Sequence, residues 1–305
     1  MPRLLISGTD TTLGSNLSAA LADRCDRLES PLCRATKTSR STAGNRDART
    51  AEVAEQTCEL KPDWIIHCGA TANNAWEANT PDLDERPRLA GFIATTKRMA
   101  TRLTVVTSDA VFAGPRLFHD ESSPRSARTT PGMACRRVED YLRGHDLLHV
   151  RTHAYGLALA DDAASFACRT WVALRDGYLP ECDSFRHATP ILAHDLANLL
   201  YTAFLKDVRG CLHLAGAERT NPARFALTLA DVYGARPWRV VGESRGADQP
   251  GMPPETSLAT RRARRILGVP MPLLIDGLTR FAQLAGDSLS QYVPTSLLTK
   301  VGRAA

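Results

Sequence analysis

The chain has 305 residues, of which 43% are hydrophobic and 23% charged, close to the average of folded globular proteins. This composition excludes a largely disordered chain, and the length predicts two domains or one large domain with an appendage. The net charge is +5, and the basic residues are scattered. Nucleic-acid binding usually requires a basic stripe and a matching motif, and neither is present, so we expect no nucleic-acid partner.

No stretch approaches the ~18 consecutive apolar residues of a membrane span, and the apolar run at the N-terminus is too short for a signal peptide. We therefore expect a cytoplasmic protein without a membrane association. The eight cysteines form no Cys-x-x-Cys pair and no zinc-type spacing with histidine. They are predicted to be buried thiols, and no metal site is expected.

The first 150 residues alternate between strand and helix patterns. The predicted strands are 3–7, 63–68, 103–107 and 147–152, and the predicted helices are 13–21, 53–60, 89–99 and 131–143, with a polar loop at 36–47. Strands separated by helices pair in parallel through right-handed crossovers. The pattern therefore predicts an α/β protein with a Rossmann-type, doubly wound parallel sheet.

The pattern changes after residue 155. Helices are predicted at about 163–176, 192–205, 220–234, 256–267 and 272–284, with a short strand at 211–214. We expect a dinucleotide-binding domain over 1–155 and a smaller, helix-rich substrate lobe over 156–290 that is interleaved with the sheet edge. Residues 291–305 are predicted to be a tail.

The clearest chemical signal is the turn between the first strand and the first helix. Gly8 and Gly14 fit the first and third glycines of a dinucleotide-binding turn, whereas Thr11 replaces the middle glycine and brings a Cβ toward the pyrophosphate. Backbone N–H groups at the helix start could still bind an anion. The alternative is a capped turn without a ligand. The candidate cofactor-binding residues are Gly8, Thr11, Thr12, Leu13, Gly14, Cys68, Gly69 and Ala70.

The sequence does not decide between NADP and NAD. Arg34, Lys37 and Arg40 could contact a 2′-phosphate, or they could belong to a solvated loop. His67 lies near the end of a predicted strand and is either a packed imidazole or a ligand contact.

Several segments, in order along the chain, match one enzyme family. They are Leu4–Leu17, Lys61–Ala70, Val106–Gly114, Val150–Gly156, Thr189–Ala197 and Gly210–Gly216. With these segments the chain resembles dTDP-4-dehydrorhamnose reductases, extended short-chain dehydrogenases that bind sugar nucleotides. The resemblance extends to about residue 285 and implies a nicotinamide cofactor and a nucleotide-sugar ligand.

The resemblance also assigns catalytic positions. Ser108 falls where the family has the hydroxyl that binds the substrate carbonyl, Asp109 is kept beside it, and Ala110 replaces a residue that is usually tyrosine. The alternative is that Ser108 and Asp109 only cap the end of a strand.

The family also carries a tyrosine and a lysine four residues apart on a helix. Aligned through Glu139, these positions are occupied by Pro131 and Cys135. Arg136 or Arg137 could replace the cation, but no tyrosine lies between residues 102 and 140 to replace the phenol. A nucleophilic Cys135 would need a paired base, and none is identified.

We therefore predict a catalytically degenerate relative with a ligand-binding or regulatory role, in which NADP or NAD binds weakly if at all. Its ligand would be a nucleotide sugar or a related small molecule, and a homo-oligomer or a regulatory protein partner would be compatible with this role. The alternative is an active NAD(P)-dependent reductase of a nucleotide-linked keto sugar, or of a similar carbonyl compound, with a rearranged proton donor.

Overall fold

The computed structural model describes residues 1–34, 46–77, 85–158, 165–180, 182–235, 239–241 and 255–292. The strands are β1 (Arg3–Ser7), β2 (Asp26–Arg27), β3 (Trp64–His67), β4 (Arg102–Ser108), β5 (Leu148–Thr152), β6 (Ala154–Tyr155), β7 (Tyr178–Pro180), β8 (Ile191–Leu192), β9 (Gly210–His213) and β10 (Arg239–Val241). The helices are α1 (Thr12–Ala20), α2 (Arg46–Leu60), α3 (Arg86–Arg98), α4 (Thr130–Leu142), α5 (Phe166–Arg175), α6 (Ala193–Leu205), α7 (Pro222–Tyr233), α8 (Arg261–Leu267) and α9 (Leu274–Tyr292).

Six strands form one parallel sheet in the order β2-β1-β3-β4-β5-β9. The strand order reverses at β1, because β2 lies on one side of it and β3 on the other. In such sheets the crevice beyond the carboxyl ends of the strands at the reversal is the usual ligand position. The predicted doubly wound fold is confirmed.

Apolar side chains from both faces of the sheet form two layers of core. On one face, Leu17 of α1 and Leu200 of α6 pack with Ile66 and Val150 of the sheet. On the other face, Phe92 of α3 packs with side chains of α2, α4 and the strands. Because both faces are covered by helices, the strands are buried on both sides and read as continuous apolar runs.

The C-terminal half builds a third core from α5, α7 and α9. Its centre is aromatic, with Trp171, Phe225 and Phe281 buried together. Two small parallel pairs, β6 with β8 and β7 with β10, belong to this half, and β9 returns to the edge of the main sheet. In the described part of the chain, no helix is long and apolar enough to cross a membrane.

Three local predictions need correction. Arg46 and Asp47 begin α2 instead of ending the predicted loop at 36–47, and most of that loop lies outside the described residues. Residues 256–260 are not helical, because this stretch runs extended past residues 119 and 187, and the helix begins only at Arg261. The predicted tail starts within α9, which continues to Tyr292, and residues 293–305 lie outside the described residues.

Candidate functional site

The turn after β1 is packed too tightly for any side chain at its two glycines. Gly8 has a φ of +111°, and a Cβ there would lie 2.0 Å from the carbonyl oxygen of Cys68. A Cβ at Gly14 would lie 1.9 Å from the carbonyl oxygen of Gly8. Gly8 therefore allows the end of β1 to contact the turn that follows β3 at Cys68. Gly14 allows α1 to pack directly on the turn after β1. The first and third glycines of a dinucleotide-binding turn have the same two roles.

Thr11 is the N-cap of α1, and its side chain turns inward. Its hydroxyl donates to the Gly8 carbonyl over 2.7 Å and accepts the Gly14 N–H over 3.1 Å. The side chain is buried. Thr11 thus satisfies one N–H group of the first helical turn inside the protein, while those of Thr12 and Leu13, by helix geometry, have no acceptor within α1.

A second internal acceptor lies on the other side of the turn. The carbonyl oxygen of Cys33 accepts from the Gly8 N–H (2.7 Å), the Thr9 N–H (2.8 Å) and the Thr9 hydroxyl (3.0 Å). Arg88 of α3 fixes the same loop by donating to the Leu32 carbonyl over 2.7 Å. The segment after β2 is therefore fastened to the turn, an arrangement that the sequence analysis did not predict.

The basic residues considered for a 2′-phosphate are only partly placed. Arg34 is exposed at the end of the segment that carries Cys33. Lys37 and Arg40 lie outside the described residues.

The β3 turn, which carries Cys68, Gly69 and Ala70, is closed by a buried carboxylate. Glu85 accepts from the Thr71 N–H over 3.1 Å and from the Thr71 hydroxyl over 3.0 Å. A Cβ at Gly69 would lie 2.5 Å from this carboxylate, so any other residue there would displace the Glu85 side chain. Burial is the main cause that raises the pKa of the Cys68 thiol, and the charge of Glu85 adds to it.

His67 is a packed imidazole. Its Nδ1 lies 3.2 Å from the Ser7 hydroxyl and its Nε2 lies 3.2 Å from Glu85 Oε2, with 1% of the residue exposed. Burial opposes the charge on Glu85, but the bonds from His67 and Thr71 outweigh it and lower the pKa of the carboxyl. From the end of β3, the histidine therefore links the end of β1 to Glu85 at the start of α3 rather than facing an open cleft.

Ser108 and Asp109 lie side by side at the carboxyl end of β4, and both are fully buried. The Ser108 hydroxyl donates to Asp109 Oδ1 over 3.0 Å and accepts the Ala110 N–H over 3.0 Å. Asp109 Oδ1 also accepts the Ala75 N–H, while its Oδ2 accepts from Thr256 and faces His153. The bonds of Ser108 are those of a strand cap, and the bonds of Asp109 connect the end of β4 to the segments that carry Ala75, His153 and Thr256.

The two positions matched to the family's tyrosine and lysine lie at the start of α4. Pro131 is in the first turn and is half-buried, after the N-cap Thr129. Cys135 is buried, and its Sγ donates to the Thr71 carbonyl over 3.3 Å. Burial raises the pKa of the Cys135 thiol, so it remains a neutral group at this place. Arg136 and Arg137 are exposed on the outer side of α4.

Glu139, the anchor of that alignment, has an internal partner. Its two carboxylate oxygens accept from Nε and Nη2 of Arg151, each over 2.8 Å. Next to this pair, His149 Nε2 lies 2.7 Å from the Thr107 hydroxyl. Burial lowers the pKa of His149 to about 4, against the opposing charge of Glu139.

The residue that the sequence analysis missed is His153, which follows β5. Its Nδ1 lies 2.7 Å from Asp109 Oδ2, and 1% of the residue is exposed. The positions of Asp109 and His153 could have predicted this contact, because each directly follows one of two neighbouring parallel strands. In the structure Ser108 is in register with Thr152, which brings the next residues together. Among the residues that the structure describes, no group of three or more metal-ligating side chains is close enough to hold a metal ion.

No protein-family model matches the chain. No curated protein matches it either. Solved structures do match. A hypothetical dTDP-4-dehydrorhamnose reductase from Sulfolobus tokodaii aligns with a TM-score of 0.68 at 20% identity, covering 90% of this chain and 98% of that one.

Two further structures agree over similar lengths. The dTDP-4-dehydrorhamnose reductase from Bacillus anthracis, in complex with NADP, aligns with a TM-score of 0.70 at 18% identity and covers 92% of this chain and 98% of its own. The UDP-glucose 4-epimerase from Thermotoga maritima, with UDP-glucose, aligns with a TM-score of 0.69 at 15% identity and covers 94% and 99%. At these identities the likeness shows the fold. The chain has the fold of dTDP-4-dehydrorhamnose reductases and related extended short-chain dehydrogenases, which confirms the predicted resemblance.

Proposed function

We propose that this protein binds a nucleotide sugar, or a related small ligand, beyond the carboxyl ends of β1, β3, β4 and β5, and that it has a ligand-binding or regulatory role. The observation that carries the proposal is the environment of Cys135. Cys135, which the sequence alignment through Glu139 matches to the family's lysine, is a neutral, buried thiol bonded to the Thr71 carbonyl, and Pro131 is matched to the phenol.

The chemistry of carbonyl reduction explains why this matters. As a hydride reaches the carbonyl carbon, its oxygen needs a proton, and a positioned acid typically contributes ~10²–10⁴ in rate. A proline offers no proton, and the Cys135 thiol cannot supply the positive charge that lowers the pKa of a phenol. Ser108, matched to the family hydroxyl, is engaged with Asp109 and the Ala110 N–H.

The same reasoning predicts weak binding of NADP or NAD. Four N–H groups near the phosphate turn, those of Gly8, Thr9, Thr11 and Gly14, already have acceptors inside the protein. Those of Thr12 and Leu13 remain for a phosphate. A related fold in Bacillus anthracis holds NADP and one in Thermotoga maritima holds UDP-glucose, which supports a nucleotide as the ligand class.

Calorimetry tests this proposal with NADH, NADPH, UDP-glucose and dTDP-glucose as separate titrants. We expect a nucleotide sugar to bind and both dinucleotides to show dissociation constants no tighter than about 100 μM, which is ~5.5 kcal/mol. A dinucleotide constant below 1 μM, or the absence of binding by both nucleotide sugars, would contradict the proposal. Sedimentation with and without ligand would show whether binding changes the association of the protein with itself.

A second candidate function is favoured by one observation. His153 and Ser108 contact the two oxygens of the same Asp109 carboxylate, so a reductase in which His153 is the rearranged proton donor is the alternative. Loss of absorbance at the nicotinamide band, measured with NADPH and a keto-sugar nucleotide, would distinguish the two. Robust turnover by the wild-type protein would favour the reductase.

A further inference from the structure

Two buried aromatic rings meet beside the end of β4. Trp76 belongs to the segment after β3, and His153 follows β5. Their ring centroids are 4.5 Å apart, and the ring planes are inclined at 70°. Trp76 is 5% exposed and His153 is 1% exposed. The two rings thus lie at the carboxyl edge of the sheet, next to Asp109.

One ring nitrogen of His153 already has a hydrogen-bond partner. Nδ1 lies 2.7 Å from Asp109 Oδ2, which also accepts from Thr256. A carboxylate only accepts, so Nδ1 carries the hydrogen. This bond fixes the orientation of the imidazole and leaves Nε2 on the side of the ring away from Asp109.

Two nitrogens of the pair remain without partners. Within the described part of the chain, neither His153 Nε2 nor Trp76 Nε1 has a hydrogen-bond partner, although both atoms are buried. Native proteins contain few such groups, and each calls for an explanation such as a bound molecule. Because the ring centroids are only 4.5 Å apart, the two unpaired nitrogens lie in the same region of the protein.

We propose that His153 and Trp76 are specificity-determining residues that recognise a neutral hydroxyl group of the ligand. The Trp76 N–H can only donate, and a hydroxyl oxygen accepts it. The same hydroxyl can donate to Nε2 of a neutral imidazole or accept from an imidazolium. A phosphate or carboxylate at this place would be repelled by Asp109, so the charged part of the ligand lies elsewhere.

This inference rests on the proposed function, because it assigns part of the ligand to that cleft. In a buried site, a ligand that lacks the hydroxyl leaves both nitrogens unpaired, which is how polar sites discriminate between similar ligands. The pair would therefore distinguish a nucleoside diphosphate with glucose on its terminal phosphate from the free nucleoside diphosphate.

The experiment compares UDP-glucose with UDP, and dTDP-glucose with dTDP, by calorimetry. For the wild-type protein we expect the sugar to tighten binding at least ~10-fold, which is ~1.4 kcal/mol. His153→Asn keeps a donor for Asp109 but has no atom at the Nε2 position, so the sugar should lose this advantage while UDP binding stays unchanged. Trp76→Phe keeps an aromatic ring without the N–H, so part of the tighter binding of the nucleotide sugar should be lost.

Two further variants separate recognition from folding. His153→Gln, which can bring an amide near the Nε2 position, should restore part of the sugar preference. Thr220→Val removes another buried, unpartnered polar atom outside the pair and should leave the preference unchanged. Circular dichroism identifies folded variants, and Trp76→Phe provides the test if neither His153 variant folds.

An unchanged sugar preference in folded His153→Asn or Trp76→Phe would overturn this inference and leave the proposed function standing. The absence of binding of any of the four nucleotides to the wild-type protein would overturn both.

Discussion

Replacing Thr11 with glycine tests whether the N-cap of α1 weakens dinucleotide binding. The Thr11 hydroxyl holds the Gly14 N–H over 3.1 Å and the Gly8 carbonyl over 2.7 Å. Glycine removes both bonds, since it has no side chain. The extended backbone at this position, with φ −101° and ψ 158°, is accessible to glycine, so the turn itself need not change.

The substitution should lower the stability of the folded protein and strengthen the binding of NADPH. Loss of the cap and the added freedom of the unfolded chain lower the free energy of unfolding by about 1 kcal/mol. The Gly14 N–H becomes available to a phosphate, and a hydrogen bond to a charged group contributes about 1.5–3 kcal/mol. A dissociation constant of about 100 μM for NADPH would therefore fall to about 1–10 μM.

Calorimetric titration with NADPH, together with thermal unfolding, measures both effects. Thr11→Ser is the matched control, because it keeps the hydroxyl and should bind NADPH as the wild type does. Equal affinities for Thr11→Gly and Thr11→Ser would refute the reasoning, since the occupied N–H group would then have no influence on phosphate binding.

Three other predictions concern Ser108, the start of α4 and His149. Ser108→Ala should lower the free energy of unfolding by under ~2 kcal/mol without altering any detectable turnover, whereas a hundredfold loss of turnover in a folded variant would make the hydroxyl catalytic. Pro131→Tyr with Cys135→Lys should not create NADPH oxidation with a keto-sugar nucleotide, alone or with Thr11→Gly, because a misplacement of ~1 Å can cost ~10²-fold; robust absorbance loss in either variant would contradict this. As the pH decreases from about 6.5 to 4, His149 should contribute a fall in the free energy of unfolding of up to ~1.4 kcal/mol per pH unit, since with a pKa of about 4 it stays largely unprotonated when folded but binds a proton when unfolded. Urea unfolding across this range should show a shallower dependence for His149→Gln, and an unchanged slope would argue against a buried neutral imidazole.

The fold and much of the phosphate turn could be predicted from local sequence patterns. Apolar runs such as that of β3 (Trp64–His67) alternate along the chain with helical patterns. Parallel strands covered by helices on both faces produce this alternation, because the strands are apolar throughout and each is followed by a helix. Gly8 and Gly14 were recognisable because only glycine permits the approach of backbone that the strand–turn–helix unit needs. The absence of a tyrosine near Pro131 was likewise readable without coordinates.

Which backbone and side-chain groups already have internal hydrogen-bond partners depends on the packing of segments that are distant in sequence. Cys33 and Gly8 are 25 residues apart, and only the packing of the β2 segment on the turn brings the Cys33 carbonyl to the Gly8 N–H. His153 is 44 residues from Asp109, and their contact depends on the pairing of β4 with β5. Local patterns predict elements because they reflect burial along one segment, whereas hydrogen-bond partners distant in sequence are set by the register and packing of the whole sheet.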